Sequence, residues 1–315
     1  MIYVNITVFI IQYEQGYLKL KKLNITIIIP TCNRYKILKK TINYLSKNSF
    51  FFKEIIIVDS SDKKKIDKNF KFRFKNLKIR VFYSKPSISL QRNIGLNKVK
   101  KNSEYIMFMD DDVQFRKKSF TIMKNFIVNN KNYSGIGFNL IIKDIVHNLE
   151  KLKKNNFFKF LGIYDPDDGK VTPSGWHTKA INLKKDTLVE WLPTQAVIYK
   201  YEDIKKIRFN LDYGVYSYLE DLDFSYSIKK KLIIHSKAKY SSNNIVDRDK
   251  FKFGEKEIIN RFIFIKKFNL NKFKFATGSI MLIFKNIIFT FFKINNFFRV
   301  LGNLKGVLNL FIKNY

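Results

Sequence analysis

The run Asp110-Asp111-Asp112 is the strongest chemical signal in the chain. It follows directly on the apolar segment Tyr105-Ile106-Met107-Phe108-Met109, so three carboxylates sit at the end of a buried strand. Crowded like charges repel and raise one another's pKa unless a cation or strong donors offset them. A divalent ion with oxygen preference, Mn2+ or Mg2+, is a fitting offset, because such ions are held by one or two carboxylates together with substrate phosphates. A solvated turn that caps the next helix is the bland alternative. It suits poorly a chain that has only 26 acidic residues against 60 basic ones.

A second acidic group lies in Tyr218-Leu219-Glu220-Asp221-Leu222-Asp223-Phe224-Ser225. If this segment opens a helix, Glu220 and Asp221 fall in its first turn, where the dipole favours ionised carboxylates. Such a carboxylate facing a bound donor across a cleft serves as a general base; plain N-terminal capping is the competing reading. Upstream of the triplet, Arg92 in Ser89-Leu90-Gln91-Arg92-Asn93-Ile94-Gly95 either pairs with a phosphate or orients the aspartates, since a planar guanidinium suits both tasks; a surface arginine on a helix is the bland alternative.

The elements that must position these groups read as alternating strands and helices. Ile25-Thr26-Ile27-Ile28-Ile29, stopped by Pro30, is a short β-branched run typical of a strand buried on both faces. Leu38, Ile42 and Leu45 recur at helical spacing, and Ile55-Ile56-Ile57-Val58 then runs into Asp59, which completes a βαβ unit. A third strand is predicted over 79–83, a helix around Leu90 and Ile94, and a fourth strand over 105–109. Ligands of open parallel sheets bind beyond the carboxyl ends of the strands. Three predicted strand ends here carry polar groups: Pro30-Thr31-Cys32-Asn33-Arg34, Asp59, and the aspartate triplet. The stretch from Phe115 to Lys206 reads as less regular, with turn-rich segments at 165–169 and 172–176; Trp191 within it either stacks on a ligand ring or, as is commoner for a large aromatic, belongs to the core.

Composition narrows the class. A chain of 315 residues, 46% hydrophobic and 16% aromatic, has ample material for a buried core and is neither disordered nor a loop-rich small scaffold. Its single cysteine, Cys32, excludes an internal disulfide and a cysteine-based zinc cluster, and His147, His177 and His235 are too far apart for a local histidine metal pair. The net charge of +34 suggests polyanionic surroundings. Much of the excess also fits biased composition, since Lys, Asn, Ile, Phe and Tyr are abundant throughout.

The two ends differ from the middle. Residues 1–23 read as an extension or an added strand, lacking a basic leader region and too short to span a bilayer. After Glu257 no Asp or Glu occurs, while Ile, Phe, Leu and Met dominate 275–292. A basic, aromatic-rich helical tail over 266–315 is expected, either lying in the interface of an anionic membrane or packed as a helical pair on the core.

Together the motifs resemble the family 2 glycosyltransferases, inverting enzymes of the GT-A fold. Pro30-Thr31-Cys32-Asn33-Arg34 resembles the opening IIPxYNR pattern, with Cys32 in place of the usual aromatic. Ile56-Ile57-Val58-Asp59-Ser60-Ser61 resembles IIVVDxxS, Arg92-Asn93-Ile94-Gly95-Leu96 resembles ARNxGL, Phe108-Met109-Asp110-Asp111-Asp112 resembles FLDxD, and Leu219 to Ser225 resembles EDxDLSxR. The resemblance covers residues 24–265 and implies an α/β fold, a Rossmann-like, mixed, mostly parallel sheet flanked by helices, with a C-terminal helical appendix. It implies a donor nucleotide-sugar held by Pro30, Thr31, Asn33, Arg34, Asp59, Arg92, Asn93, Asp110 and Asp111. Within that set Asp59 holds the base and Asp110 the ribose or diphosphate. Asp112, with Asp110, is implied to bind Mn2+ or Mg2+, and Asp221, with Glu220 beside it, to serve as catalytic base.

The implied partners are a nucleotide-sugar donor, a glycan or lipid-linked acceptor, and an anionic membrane surface on the cytoplasmic side, with no specific nucleic acid. Two departures stand out. The late histidine that many members carry near the metal is replaced in Tyr240-Ser241-Ser242-Asn243-Asn244, where Asn243, Asn244 or water takes its place. The arginine expected after the second acidic motif is absent around Ser227 to Lys230. A nucleotidyltransferase lacks support because 30–35 contains no glycine, and a dehalogenase-like phosphatase because position 114 is Gln. A non-enzymatic nucleic-acid or membrane-binding protein accounts for the charge but not for acids clustered at strand ends. An inactive transferase is the remaining alternative.

Overall fold

The computed structural model describes residues 23–62, 66, 74, 77–142, 156–160, 162–215, 217–242, 249–292 and 294–312. The expected N-terminal extension, apart from Leu23, and the proposed stand-ins Asn243 and Asn244 lie outside the described residues.

The chain opens with β1 (Ile25–Thr31), α1 (Tyr35–Ser46), β2 (Glu54–Asp59), β3 (Ile79–Tyr83), α2 (Ile88–Asn97) and β4 (Tyr105–Met109). Every residue of β1 and β2 is buried, as expected for strands covered on both faces. The middle contributes β5 (Val113–Phe115), α3 (Ser119–Asn129), β6 (Gly135–Leu140), the short α4 (Asn156–Phe160), β7 (Thr187–Val189), β8 (Ala196–Lys200) and α5 (Tyr201–Ile204). The last part holds α6 (Glu220–Tyr226), β9 (Leu232–Ser242), and three long helices, α7 (Lys250–Lys267), α8 (Lys272–Thr290) and α9 (Asn296–Ile312).

These strands form one sheet in the order β3-β2-β1-β4-β8-β6-β9-β5, with β7 paired to β9. β1, β2, β3 and β4 pair in parallel, as do β6 and β9, whereas β8 runs antiparallel between β4 and β6. The short β5 and β7 also run antiparallel to β9, so the sheet is mixed, with most of its paired residues in parallel register. Because side chains alternate along a strand, Ile25, Ile27 and Ile29 face one apolar cluster with Leu38, Ile42 and Leu45 of α1. Ile28 faces another with Phe108, Leu96 of α2 and Phe224 of α6. Gly95 lets α2 lie directly on β1, because a Cβ there would stand 2.4 Å from Cγ2 of Ile28. That close approach sets the depth of Arg92, one turn earlier.

A third cluster joins Trp191, Leu219 and Leu222 to Ile258, Phe264 and Ile265 of α7 and to Phe275 and Leu282 of α8. It runs across residue 265, so the tail is built onto the α/β half. α7 and α9 approach at backbone distance: a Cβ on Gly302 would stand 2.0 Å from the Phe251 carbonyl oxygen, and one on Gly254 2.3 Å from that of Arg299. Polar side chains lock the contact. Asn303 donates to the Gly254 carbonyl at 2.9 Å and accepts from Asn286 of α8 at 2.8 Å, and Arg299 clasps Glu257 at 2.7 and 3.1 Å.

Candidate active site

A cleft of about 510 Å³ opens beyond the carboxyl ends of β1 and β4. Pro30, Thr31 and Arg34 reach it from β1, Asp110 and Asp111 from β4, Arg92 from α2, and Glu220 and Asp221 from α6. The strand ends and the second acidic group, 110 residues apart in sequence, thus meet around one space. His177, Lys179, Trp191, Pro193, Thr194 and Gln195 form the remaining wall. Of these, only His177 and Trp191 stand out in the sequence, by residue type, because this wall comes from the irregular middle and matches no spaced pattern. Trp191 is 6% exposed and donates its indole N–H to the Thr178 carbonyl at 2.9 Å, so it is core and cleft wall at once.

Arg92 decides the geometry. It is 1% exposed and divides its guanidinium between Asp110 Oδ1 at 3.0 Å and Glu220 Oε1 at 2.5 Å, over the ring of Phe209. Of the two readings of Arg92, the orienting one is what the geometry realises: it couples the β4 aspartates to the start of α6. Asn93, expected at the donor, lies elsewhere, with its amide donating to and accepting from the Phe209 backbone at 2.8 Å each way. Gln91, unnoticed in the sequence, straps β1 to β2 through the Thr31 and Val58 carbonyls, both at 2.8 Å.

The aspartate triplet splits into separate environments. Asp111 is buried, accepts from Thr31 Oγ1 at 2.7 Å and from Arg34 at 2.8 Å, and burial pushes its carboxyl up to about 6. Asp110 is raised mainly by burial, against the pull of Arg92. Asp112 takes the other arm of Arg34 at 3.0 Å through Oδ2, while its Oδ1 is buried without a hydrogen-bond partner. Asp59 lies in a narrow side pocket with Asn33, Tyr35 and Ser61, and its Oδ1 accepts from the Ser61 backbone N–H at 2.9 Å and hydroxyl at 2.5 Å. Asn33, in a left-handed conformation at φ 55°, donates its backbone N–H to Ser61 and its amide to Asp62.

Glu220 and Asp221 do open a helix, as their position suggests, with Leu219 held at φ 76° before them. Burial, then the neighbouring Asp221, pushes the Glu220 carboxyl up to about 8, and burial likewise raises Asp221. Asp221 Oδ1 accepts from the Leu222 N–H at 2.8 Å. Asp223 serves the scaffold instead: fully buried, it binds the Tyr213 hydroxyl at 2.7 Å and the Lys267 ammonium.

The donor set fits a divalent cation. Four carboxylates (Asp110, Asp111, Asp112, Glu220) share two guanidiniums, Arg34 and Arg92, with Asp221 beside them, and Asp112 keeps a buried oxygen without a partner. Among the described residues no three metal-ligating side chains form a ready cage.

Comparison with known proteins agrees with this architecture. The structure resembles S. aureus TarS, residues 1–349, at TM-score 0.50 and 19% identity over 87% of this chain and 74% of that one. TarS has also been solved with UDP. It resembles the Pyrobaculum calidifontis mannosyltransferase PcManGT, solved with GDP-Man and Mn2+, at TM-score 0.52 and 11% identity over 91% and 88% of the two chains. At such identities the likeness establishes the fold, which is GT-A. The family description Glycosyl transferase family 2 matches residues 26–186, and the chain belongs to that family of sugar-transferring enzymes. A curated relative, the RNA polymerase subunit beta'' of Euglena longa, is 31% identical over 167 residues; the match spans 48% of this chain and a fifth of that protein's length.

Proposed function

We propose that the protein moves a sugar from a nucleotide-diphosphate donor to a hydroxyl of a glycan or lipid-linked acceptor, inverting the anomeric centre in a single displacement. The observation that carries this reading is the position of Asp221. It faces the same cleft as the β1 and β4 ends, and Arg92 ties its neighbour Glu220 to Asp110.

Pro30, Thr31, Asn33 and Asp59 are assigned to the nucleotide, and Arg34 and Asp110 to its diphosphate. Asp112 and Asp110 would hold Mn2+ or Mg2+, which when bound supplies a positive charge for the departing diphosphate. Asp221 accepts the proton of the acceptor hydroxyl. Its raised pKa, caused by burial, brings it nearer to working pH and makes it a stronger base than an exposed aspartate. Glu220 is held by Arg92 and keeps the α6 start in register with Asp110, so its part is positioning. Arg92 and Asn93, already paired within the protein, act by fixing that frame. The chain is assigned to the cytoplasm, at the inner, anionic face of a membrane, in the synthesis of a polysaccharide or glycolipid.

The test is thermal stability of the purified chain against UDP, GDP, dTDP and CMP, with and without Mn2+. A ligand at ~100 times its Kd adds about 2.7 kcal/mol. A metal-dependent shift with one nucleotide is expected and identifies the donor class; no shift with any of them overturns the reading.

A further inference from the structure

The C-terminal helices are apolar where a water-soluble surface should not be. Among the described residues, sixteen of the twenty-four exposed large apolar side chains fall between Phe273 and Ile312. On α8, Phe273, Ile280, Phe284, Ile287 and Ile288 recur at helical spacing. On α9 the exposed stripe is Phe297, Leu301, Leu304, Leu308 and Phe311. The turn between the helices carries Phe291 at 87% exposure and Phe292 at 78%. Monomeric soluble proteins rarely leave contiguous apolar surface of this extent uncovered.

We propose that the α8–α9 hairpin is a monotopic docking surface for an anionic lipid bilayer, seated in the interface with Phe291 and Phe292 leading. This deepens the membrane-surface reading above and rests on it, naming the partner and the residues that meet it.

Charge selects the occupant. Residues 258–315 contain ten Lys and Arg and no Asp or Glu. Lys267, Arg299 and Lys305 are paired with Asp223, Glu257 and Glu255 and Arg261 is buried, while Lys266, Lys272 and Lys285 are exposed. Anionic headgroups attract such basic residues near the surface, whereas a second copy of the chain would bring like charges together. α8 has 19 residues and is long and apolar enough to cross a bilayer. One of its faces is committed to the protein, however: Gly278 lies against Trp176, and Asn286 is bonded to Asn303 of α9. The hairpin therefore lies on the membrane rather than through it.

The surface is rigidly linked to the cleft. α9 packs on α7, and α7 grips the loop that delivers Glu220 and Asp221. Asn260 donates to the Tyr218 carbonyl at 2.8 Å, and Arg261 to the Tyr218 hydroxyl at 3.0 Å and the Gly175 carbonyl at 2.6 Å. Docking the hairpin thus fixes the height and tilt of the acceptor side of the cleft above the lipid.

The experiment is co-flotation of the full chain with phosphatidylcholine vesicles with and without phosphatidylglycerol, beside the nucleotide and Mn2+ thermal-shift assay on the same preparation. Binding is expected only to the anionic vesicles and should weaken with salt. Phe291→Ser with Phe292→Ser should lower it by about tenfold or more, since each apolar side chain removed from water contributes at least that factor. The double variant should keep the parent's thermal shift, which shows that it is folded. Three results would overturn the proposal: no flotation of the parent, undiminished flotation of the variant, or a dimer in solution that the variant dissociates. A thermal shift without flotation refutes the hairpin alone, and flotation without a thermal shift refutes the donor reading alone.

Discussion

The cleft and the hairpin break the ordinary rules of burial in opposite directions. In the cleft, carboxylates are buried in a chain rich in lysine, and two guanidiniums hold four of them. In the hairpin, phenylalanine, isoleucine and leucine stand in water on two successive helices. Burying charge without full compensation and exposing contiguous apolar surface both cost stability. Each region suits an occupant of matching chemistry, and the occupants proposed above are a cation with a diphosphate in one and a lipid surface in the other. α7 makes them one machine, because it contacts both.

The largest effect that would sharpen this contrast is chemical. Asp221→Asn is expected to lower transfer by ~10²–10⁴-fold while leaving nucleotide binding intact, the usual scale for loss of a general base. Turnover with the donor identified by thermal shift checks it, and near-normal turnover would remove Asp221 from the mechanism. Asp112→Ala should abolish the Mn2+ dependence of nucleotide affinity, read by titration with and without the metal. Affinity that still responds to metal would move the ion to other ligands.

On the side of the hairpin, Gly302→Ala tests whether α9 is truly seated on α7. Helix propensity alone favours alanine by about 1 kcal/mol. A methyl group 2.0 Å from the Phe251 carbonyl oxygen forces the backbones apart, at an overpacking cost of typically 1–3 kcal/mol. A lower melting temperature is expected; a higher one would show that the helices are not in this contact.

The smallest effect is a pH slope. The folded chain raises the Glu220 carboxyl from 4.5 to about 8, chiefly by burial, so in that window the native state binds a proton that the unfolded chain releases. Stability from this group is present below about 4.5 and is lost as pH rises toward 8. The ligand-free chain should therefore melt lower at pH 8.5 than at pH 5.5, and Glu220→Gln should flatten that difference.

Much of the site is legible in the sequence because its parts are local. Continuous apolar runs mark β1, β2 and β4, and each runs into a polar residue: Thr31 and Asp110 line the cleft and Asp59 the side pocket next to it. The opening of α6 at Glu220 follows from acids placed where a helix dipole wants them. β6 and β8 are harder to read. β6 begins Gly135-Ile136-Gly137, whose glycines weaken any strand signal, and the insertion of β8 between β4 and β6 is a pairing between residues about ninety positions apart. His177, Lys179 and Gln195 enter the cleft on that irregular middle, where no period announces them.

By itself, then, the sequence determined which acidic groups stand at the strand ends and where the apolar tail lies, since carboxylates after buried strands and an acid-free apolar stretch are properties of residue type and order. Tertiary structure alone decided their pairing. Arg92 could serve a phosphate or the aspartates until packing on β1 through Gly95 buried it between Asp110 and Glu220, where water no longer competes for its hydrogen bonds. The tail likewise could be core or surface until the glycines of α7 and α9 met. Only a three-dimensional contact chooses which face of a helix is covered and which is left to a partner.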